Sequence, residues 1–169
     1  MSPLPVLASG GIGDGAGIAR ALRLGAQGVS MGTRFVASRE AWIHEKYKQR
    51  VIESGAEDTF YGDLFDVGWQ APARALRNKT YQEWEAAGRP TSGQRPNEGT
   101  PIGISHFSWG DVPFQRYAPG MMTPRFDGDP DFGPMWAGES VSVVNEVKPA
   151  GDIVRDLVRE TEAALDETG

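Results

Sequence analysis

Two short apolar runs each stop on a glycine turn, and a segment with helical patterning follows each of them. Residues 4–8, Leu-Pro-Val-Leu-Ala, end at Ser9-Gly10-Gly11, and residues 27–31 end at Gly32-Thr33. Short continuous apolar runs are the mark of strands buried on both faces in a parallel sheet. After the first turn Asp14 is placed to cap a helix in which Ile18, Ala19, Ala21, Leu22 and Leu24 recur at helical spacing, and Gly25 closes it. After the second, Ser38 is placed to cap a helix that runs through Trp42, Tyr47, Val51 and Ile52 to Gly55. Strand, helix, strand, helix with short connections is the rhythm of a parallel α/β sheet with right-handed crossovers, and few other layouts are compatible with it.

The rest of the chain is less regular. Residues 60–65 read as a short strand or an extended loop. Residues 71–87 carry Ala73, Leu76, Tyr81 and Trp84 at roughly helical intervals. Between 88 and 138 glycine and proline recur often enough to forbid long regular elements. That stretch is nonetheless rich in aromatics, with Phe107, Trp109, Phe114, Tyr117, Phe126, Phe132 and Trp136, so it reads as an ordered loop packed on something. Residues 139–147 read as an extended segment, and Asp152 as the cap of a last helix striped by Ile153, Val154, Leu157, Val158 and Leu165. No internal repeat is present.

The 169 residues are 39% hydrophobic and 24% charged, enough for one domain with its own core. A net charge of −6, with no run of five or six like charges, argues against a nucleic-acid partner, which needs a basic surface. Absence of cysteine removes disulfides, thiolate metal sites and a cysteine nucleophile together. Neither an apolar span long enough for a membrane nor a signal-peptide pattern occurs, so no membrane partner is expected and a reducing cytoplasm is the default location.

The two glycine turns are where chemistry concentrates. Glycine lets the main chain approach a ligand closely, and free N–H groups at a helix start attract an anion. Ser9-Gly10-Gly11-Ile12-Gly13 alone reads as an ordinary turn at least as readily as a binding site. Gly32-Thr33 repeats the arrangement one βα unit later and adds a hydroxyl donor. Two such turns at adjacent strand ends match the phosphate site formed after the seventh and eighth strands of a TIM barrel.

Residues 5–12, Pro-Val-Leu-Ala-Ser-Gly-Gly-Ile, and residues 21–35 resemble the FMN-phosphate region of the nitronate monooxygenases, also called 2-nitropropane dioxygenases. The resemblance implies that Gly10, Gly11, Gly32 and Thr33 hold the phosphate of FMN. Downstream, Ala73-Arg74-Ala75-Leu76-Arg77-Asn78 is similar to the family's arginine-leucine-arginine-asparagine stretch. Gly128-Asp129 and Trp136-Ala137-Gly138-Glu139-Ser140-Val141 are similar to its C-terminal region, where glutamine is common at the position of Glu139. Membership implies a flavoprotein oxidoreductase that uses dioxygen to oxidise a small-molecule substrate, an alkyl nitronate, to a carbonyl compound and nitrite. The family's catalytic histidine follows an earlier strand, beside glycines, upstream of the segment present here. Neither His44, in a helical run, nor His106, in the irregular stretch, has that setting, so no catalytic residue is assigned.

Other candidates are weaker. Asp127, Asp129 and Asp131 alternate like calcium ligands but lack the glycine and terminal glutamate of an EF-hand loop, so no metal is expected. Arg74 and Arg77 could approach an anion, and Trp109 and Trp136 could line a flavin-side lid, but packing is the plainer account of each. Met121 and Met122 fit gap filling or the wall of an apolar channel.

A complete barrel needs eight strands, typically in about 250 residues. The expected fold class is therefore α/β, a partial (β/α)8 TIM barrel. Residues 1–55 would be its last two βα units with the FMN-phosphate site, and residues 56–169 an irregular C-terminal extension with a terminal helix, in the same domain. A truncated gene product, a mis-assigned start and one half of a split enzyme all fit, and the expected partner is an oligomeric copy or a complementing barrel half. Two further readings stand beside this one. One is another FMN-binding barrel oxidoreductase of the enoyl reductase type, an IMP dehydrogenase-like protein being disfavoured by the missing cysteine. The other is a non-catalytic phosphate- or nucleotide-binding remnant that pairs with another chain.

Overall fold

In the computed structural model, residues 4–167 are described. The first two strands form as expected but are shorter: β1 (Leu7–Ser9) and β2 (Gly28–Ser30) pair in parallel, Leu7 opposite Gly28 and Ser9 opposite Ser30. Between them α1 (Gly15–Arg23) begins at Asp14, whose carboxylate accepts the Gly17 N–H at 2.8 Å. Gly25 follows at φ +98°, the left-handed conformation that ends a helix. The short helix α2 (Thr33–Val36) follows β2, and α3 (Glu45–Ile52) comes next.

The cap of α3 is His44, not Ser38, because residues 38–44 form turns before the helix starts. Ser38 Oγ still accepts a main-chain N–H three residues on, from Ala41 at 3.1 Å, so the local bond was anticipated while the helix itself begins only at Glu45.

A second sheet pairs β3 (Thr59–Gly62) antiparallel with β4 (Ala73–Leu76). The helix expected over 71–87 is thus confined to α4 (Lys79–Ala86), capped by the buried Asn78 side chain, which accepts the Tyr81 N–H at 3.0 Å. Met135 and Ala137 extend this sheet: Leu76 N–H donates to the Met135 carbonyl at 2.8 Å and Ala137 N–H to the Arg74 carbonyl at 3.2 Å.

The stretch read as an irregular loop contains a third sheet. Strand β5 (Pro101–Phe107) lies between β6 (Gly110–Gln115) and β7 (Phe126–Gly128), all antiparallel. Pro101 and Gly103 are accommodated where the register slips by a bulge, the place where sheets tolerate such residues. Residues 139–143 are a 3-10 turn, not an extended segment. The last helix, α5 (Ala150–Asp166), starts after Pro149, ahead of the expected cap at Asp152.

Two apolar clusters hold these parts together. Tyr47 and Val51 of α3 pack with Leu76, Met122, Met135, Val141 and Val144. Leu64, Phe65, Ala75, Tyr81 and Tyr117 form the second cluster, against which Trp84 and Trp136 pack. Helix α5 lies on α1 so closely that a β-carbon on Gly15 would sit 2.3 Å from Glu160 Cβ.

Candidate phosphate site

The register of β1 on β2 sets their two C-terminal turns side by side. From Ser9 the chain turns through Gly10 at φ +93° and Gly11 at φ +69°, values that exclude most other residues. A β-carbon at Gly10, Gly11 or Gly32 would meet no atom within 4 Å, so all three glycines face open space instead of packed neighbours. Among the described residues no intramolecular hydrogen bond uses the amides of Gly10, Gly11 or Thr33. A groove of about 540 Å³ runs beside Gly10 and Gly11, walled by Val6, Ala8, Ile12 and Leu24.

The start of α1, which the sequence offered as an anion site, is already partly engaged. Two of its first-turn N–H groups donate to carboxylates, Gly17 to Asp14 and Gly15 to Glu160 at 3.0 Å. An anion placed there would meet two negative groups. The donors left for a ligand are the amides of the turns themselves.

Opposite the turns lies a segment more than 100 residues away in sequence. Gly138 N–H donates to Thr33 Oγ1 at 2.9 Å. That bond occupies an oxygen lone pair and leaves the Thr33 hydroxyl proton free to point outward. An ideal β-carbon on Gly138 would lie 3.6 Å from Thr33 Oγ1, 3.7 Å from Ser140 Oγ and 4.0 Å from the Gly11 nitrogen. Three polar atoms from three separate turns therefore surround a spot that glycine keeps empty.

The Gly138 segment is pinned on both sides. Tyr47 is fully buried and its hydroxyl donates to the Trp136 carbonyl at 2.5 Å; burial pushes its pKa far above that of an ordinary tyrosine. Arg74 donates to Glu139 Oε1 at 2.9 Å and to Thr59 Oγ1 at 3.0 Å, which ties the Glu139 carboxylate to β4. Arg34, buried beside Thr33, donates to the Val143 carbonyl at 3.3 Å and holds the 3-10 turn against α2.

All four residues expected to hold phosphate, Gly10, Gly11, Gly32 and Thr33, thus lie on the two adjacent turns. Gly138 and Ser140 carried no assigned role in the sequence; their only signal is that they fall within the Trp136–Val141 similarity.

The remaining candidates sit elsewhere. His44 Nδ1 accepts the Lys46 N–H at the start of α3, and burial lowers its pKa. His106 is exposed on the β5–β6 hairpin, 2.7 Å from Asp111. Asp129 bridges Lys46 and Lys79 and caps a turn through the Asp131 N–H, and no group of three metal-ligating side chains occurs among the described residues. Arg77 lies over the Tyr81 ring, and Trp109 stacks on Phe107 at the hairpin tip. Met122 fills the core while Met121 is exposed. No helix among the described residues is long and apolar enough to cross a membrane.

A family model described as nitronate monooxygenase matches residues 1–160. The chain is 33% identical to the nitronate monooxygenase npaC of Metarhizium robertsii, over 97% of its own length and 43% of that protein. It is 31% identical to a nitronate monooxygenase of Neurospora crassa, over 95% and 38%. Among solved structures, FabK from Thermotoga maritima superposes with a TM-score of 0.66 at 26% identity, covering 98% of this chain and 46% of that one. A nitroalkane oxidase from Streptomyces ansochromogenes superposes with a TM-score of 0.67 at 22% identity, covering 99% and 42%, a likeness of fold. The chain thus spans about two fifths of the curated relatives, 43% and 38% of their lengths.

Proposed function

The chain belongs to the nitronate monooxygenase family, and on that premise we propose that its paired turns hold the phosphate of FMN in an oxidoreductase that oxidises alkyl nitronates with dioxygen to carbonyl compounds and nitrite. The reading rests on one observation above the others: amides of Gly10, Gly11 and Thr33 without a partner among the described residues, and a Thr33 hydroxyl whose proton the Gly138 bond leaves available, lie at adjacent ends of a parallel strand pair. Amide donors in a glycine turn suit a phosphate, which presents oxygens on every side and no donors when ionised. When bound, the flavin supplies the redox chemistry; these residues bind and orient it. β1 and β2 with their helices are read as the last two βα units of a (β/α)8 barrel, and the histidine base and most of the flavin-ring pocket as carried by the preceding units.

Titration of the purified chain with FMN and riboflavin tests the reading, because the turns address only the phosphate. FMN is expected to bind more tightly than riboflavin. Gly32→Leu is the sharper variant, since Gly32 has φ −102°, a value leucine adopts, and its β-carbon would point into open space. The variant should fold and lose the preference for FMN. Equal affinity for the two flavins in the unmodified chain would refute the assignment.

The likeness to FabK supports a second reading, a different flavin oxidoreductase on the same fold. Oxygen consumption with propyl nitronate, by a preparation that contains the remaining barrel units, separates the two.

A further inference from the structure

Ser140 is 7% exposed, yet its hydroxyl makes no hydrogen bond among the described residues. The side-chain atoms that are sealed from solvent without a partner are arginine Nε groups, and Ser140 Oγ is not one of them. This hydroxyl therefore opens onto something, although the residue around it is buried. What it opens onto follows from Gly138: the β-carbon position there is 3.7 Å from Ser140 Oγ, 3.6 Å from Thr33 Oγ1 and 4.0 Å from the Gly11 nitrogen. The main chain of Ser140 is in turn wedged against Gly13, where a β-carbon would come within 3.1 Å of the Ser140 carbonyl oxygen. Ser140 is thus held against the first glycine turn while its free donor faces the second.

We propose that Ser140 is a third limb of the phosphate site, donating its hydroxyl proton to a phosphate oxygen, so that the C-terminal 3-10 turn closes a cradle begun by the two βα turns. Gly138 is the residue that keeps the cradle open, since any side chain there would occupy the space between the donors. The inference rests on the FMN-phosphate reading and adds to it a ligand contributed by a different part of the chain.

The test is equilibrium titration of the full chain and of Ser140→Ala with FMN, riboflavin and inorganic phosphate. A hydrogen bond to a charged group is worth enough that its loss weakens binding by roughly tenfold or more. Ser140→Ala should therefore bind FMN on the order of tenfold more weakly and riboflavin with unchanged affinity, the latter doubling as proof that the fold is intact. If the alanine variant does not fold, Ser140→Cys replaces the oxygen with a weak donor of similar shape and should give the same pattern. FMN preferred over riboflavin to the same degree in wild type and variant would overturn the role of Ser140 while leaving the two turns in place. No preference in wild type would overturn the phosphate reading and this inference together. If inorganic phosphate binds as tightly as FMN and loses the same factor in the variant, Ser140 stands as a phosphate donor and flavin is excluded as its source.

Discussion

At the scale of single residues, buried polar groups carry the most specific consequences. Arg95 is almost fully buried over the Tyr117 ring and donates to the Leu64 carbonyl, Asp66 and Glu98. Its hydrogen bond, helped by the Gly93 and Arg95 amides, holds the Glu98 carboxyl at about 2, below its ordinary 4.5. A depressed acid stabilises the fold above its unfolded value and stops doing so as pH falls through its folded value. Stability should decline as pH drops from about 4.5 toward 2, and Glu98→Gln should flatten that part of the profile. Urea-unfolding midpoints across this range check it; a variant profile parallel to wild type would refute it. Legibility at this scale divides cleanly. Gly10, Gly11, Gly32 and Thr33 were singled out because two glycine turns recur one βα unit apart and resemble a family motif, whereas either turn alone reads as an ordinary turn. Ser140 was not, since a serine two residues past a glycine has no local signature and gains its meaning from Thr33, which is far away in sequence.

For whole elements, the packing of α1 on α5 is decided by one position. A β-carbon on Gly15 would lie 2.3 Å from Glu160 Cβ and 2.5 Å from the Thr161 nitrogen, main chain that cannot step aside alone. Gly15→Ala should therefore destabilise by about 1–3 kcal/mol, as overpacking does. Gly151, in the first turn of α5, meets nothing nearer than a mobile arginine tip at 3.5 Å. Gly151→Ala should do the opposite and stabilise by up to about 1 kcal/mol through helix propensity. Denaturant unfolding of both variants is the check, and equal effects would remove the argument from close approach. Elements with a period and a stop signal were legible: β1, α1, β2 and the body of α5. The β5–β6–β7 sheet was not, because Pro101, Gly103 and Gly110 look like loop residues until a bulge and a two-residue turn give each a place. β4 was hidden because Ala-Arg-Ala-Leu favours a helix in isolation, and pairing with β3 on one edge and Met135–Ala137 on the other overrides that preference.

Over the whole molecule, β1 and β2 pair only with each other among the described residues, and each keeps an open outer edge. Beside β1 lie exposed Val6, Leu7 and Leu24, the last 90% exposed. Between α1, α2 and α5 an apolar groove of about 290 Å³ is walled by Ile18, Met31, Phe35, Val154, Leu157 and Val158. Open edges flanked by apolar side chains are templates for association. The chain by itself is expected to self-associate, and a polypeptide carrying the preceding βα units of a nitronate monooxygenase is expected to convert it to a defined complex. Oxygen uptake with propyl nitronate should rise with that complex, by the roughly 10²–10⁴-fold that a positioned base contributes. Sedimentation velocity with the assay in parallel tests both. A compact monomer that turns over nitronate unaided would mean that the three small sheets close the structure by themselves. The α/β class and the two βα units were legible at this scale; how the C-terminal extension folds back onto them was not, since it depends on contacts between distant segments.

The Thr33–Gly138 hydrogen bond joins residues 105 positions apart. At the usual pace of synthesis, about 5–20 residues per second, the glycine turns leave the ribosome roughly 5–20 seconds before the segment that completes them. During that interval the nascent chain exposes the amides but lacks the wall that encloses a ligand. On the phosphate reading proposed above, capture would be a late event in the life of this protein, and a bound phosphate would report that the turns and the Gly138 segment have met.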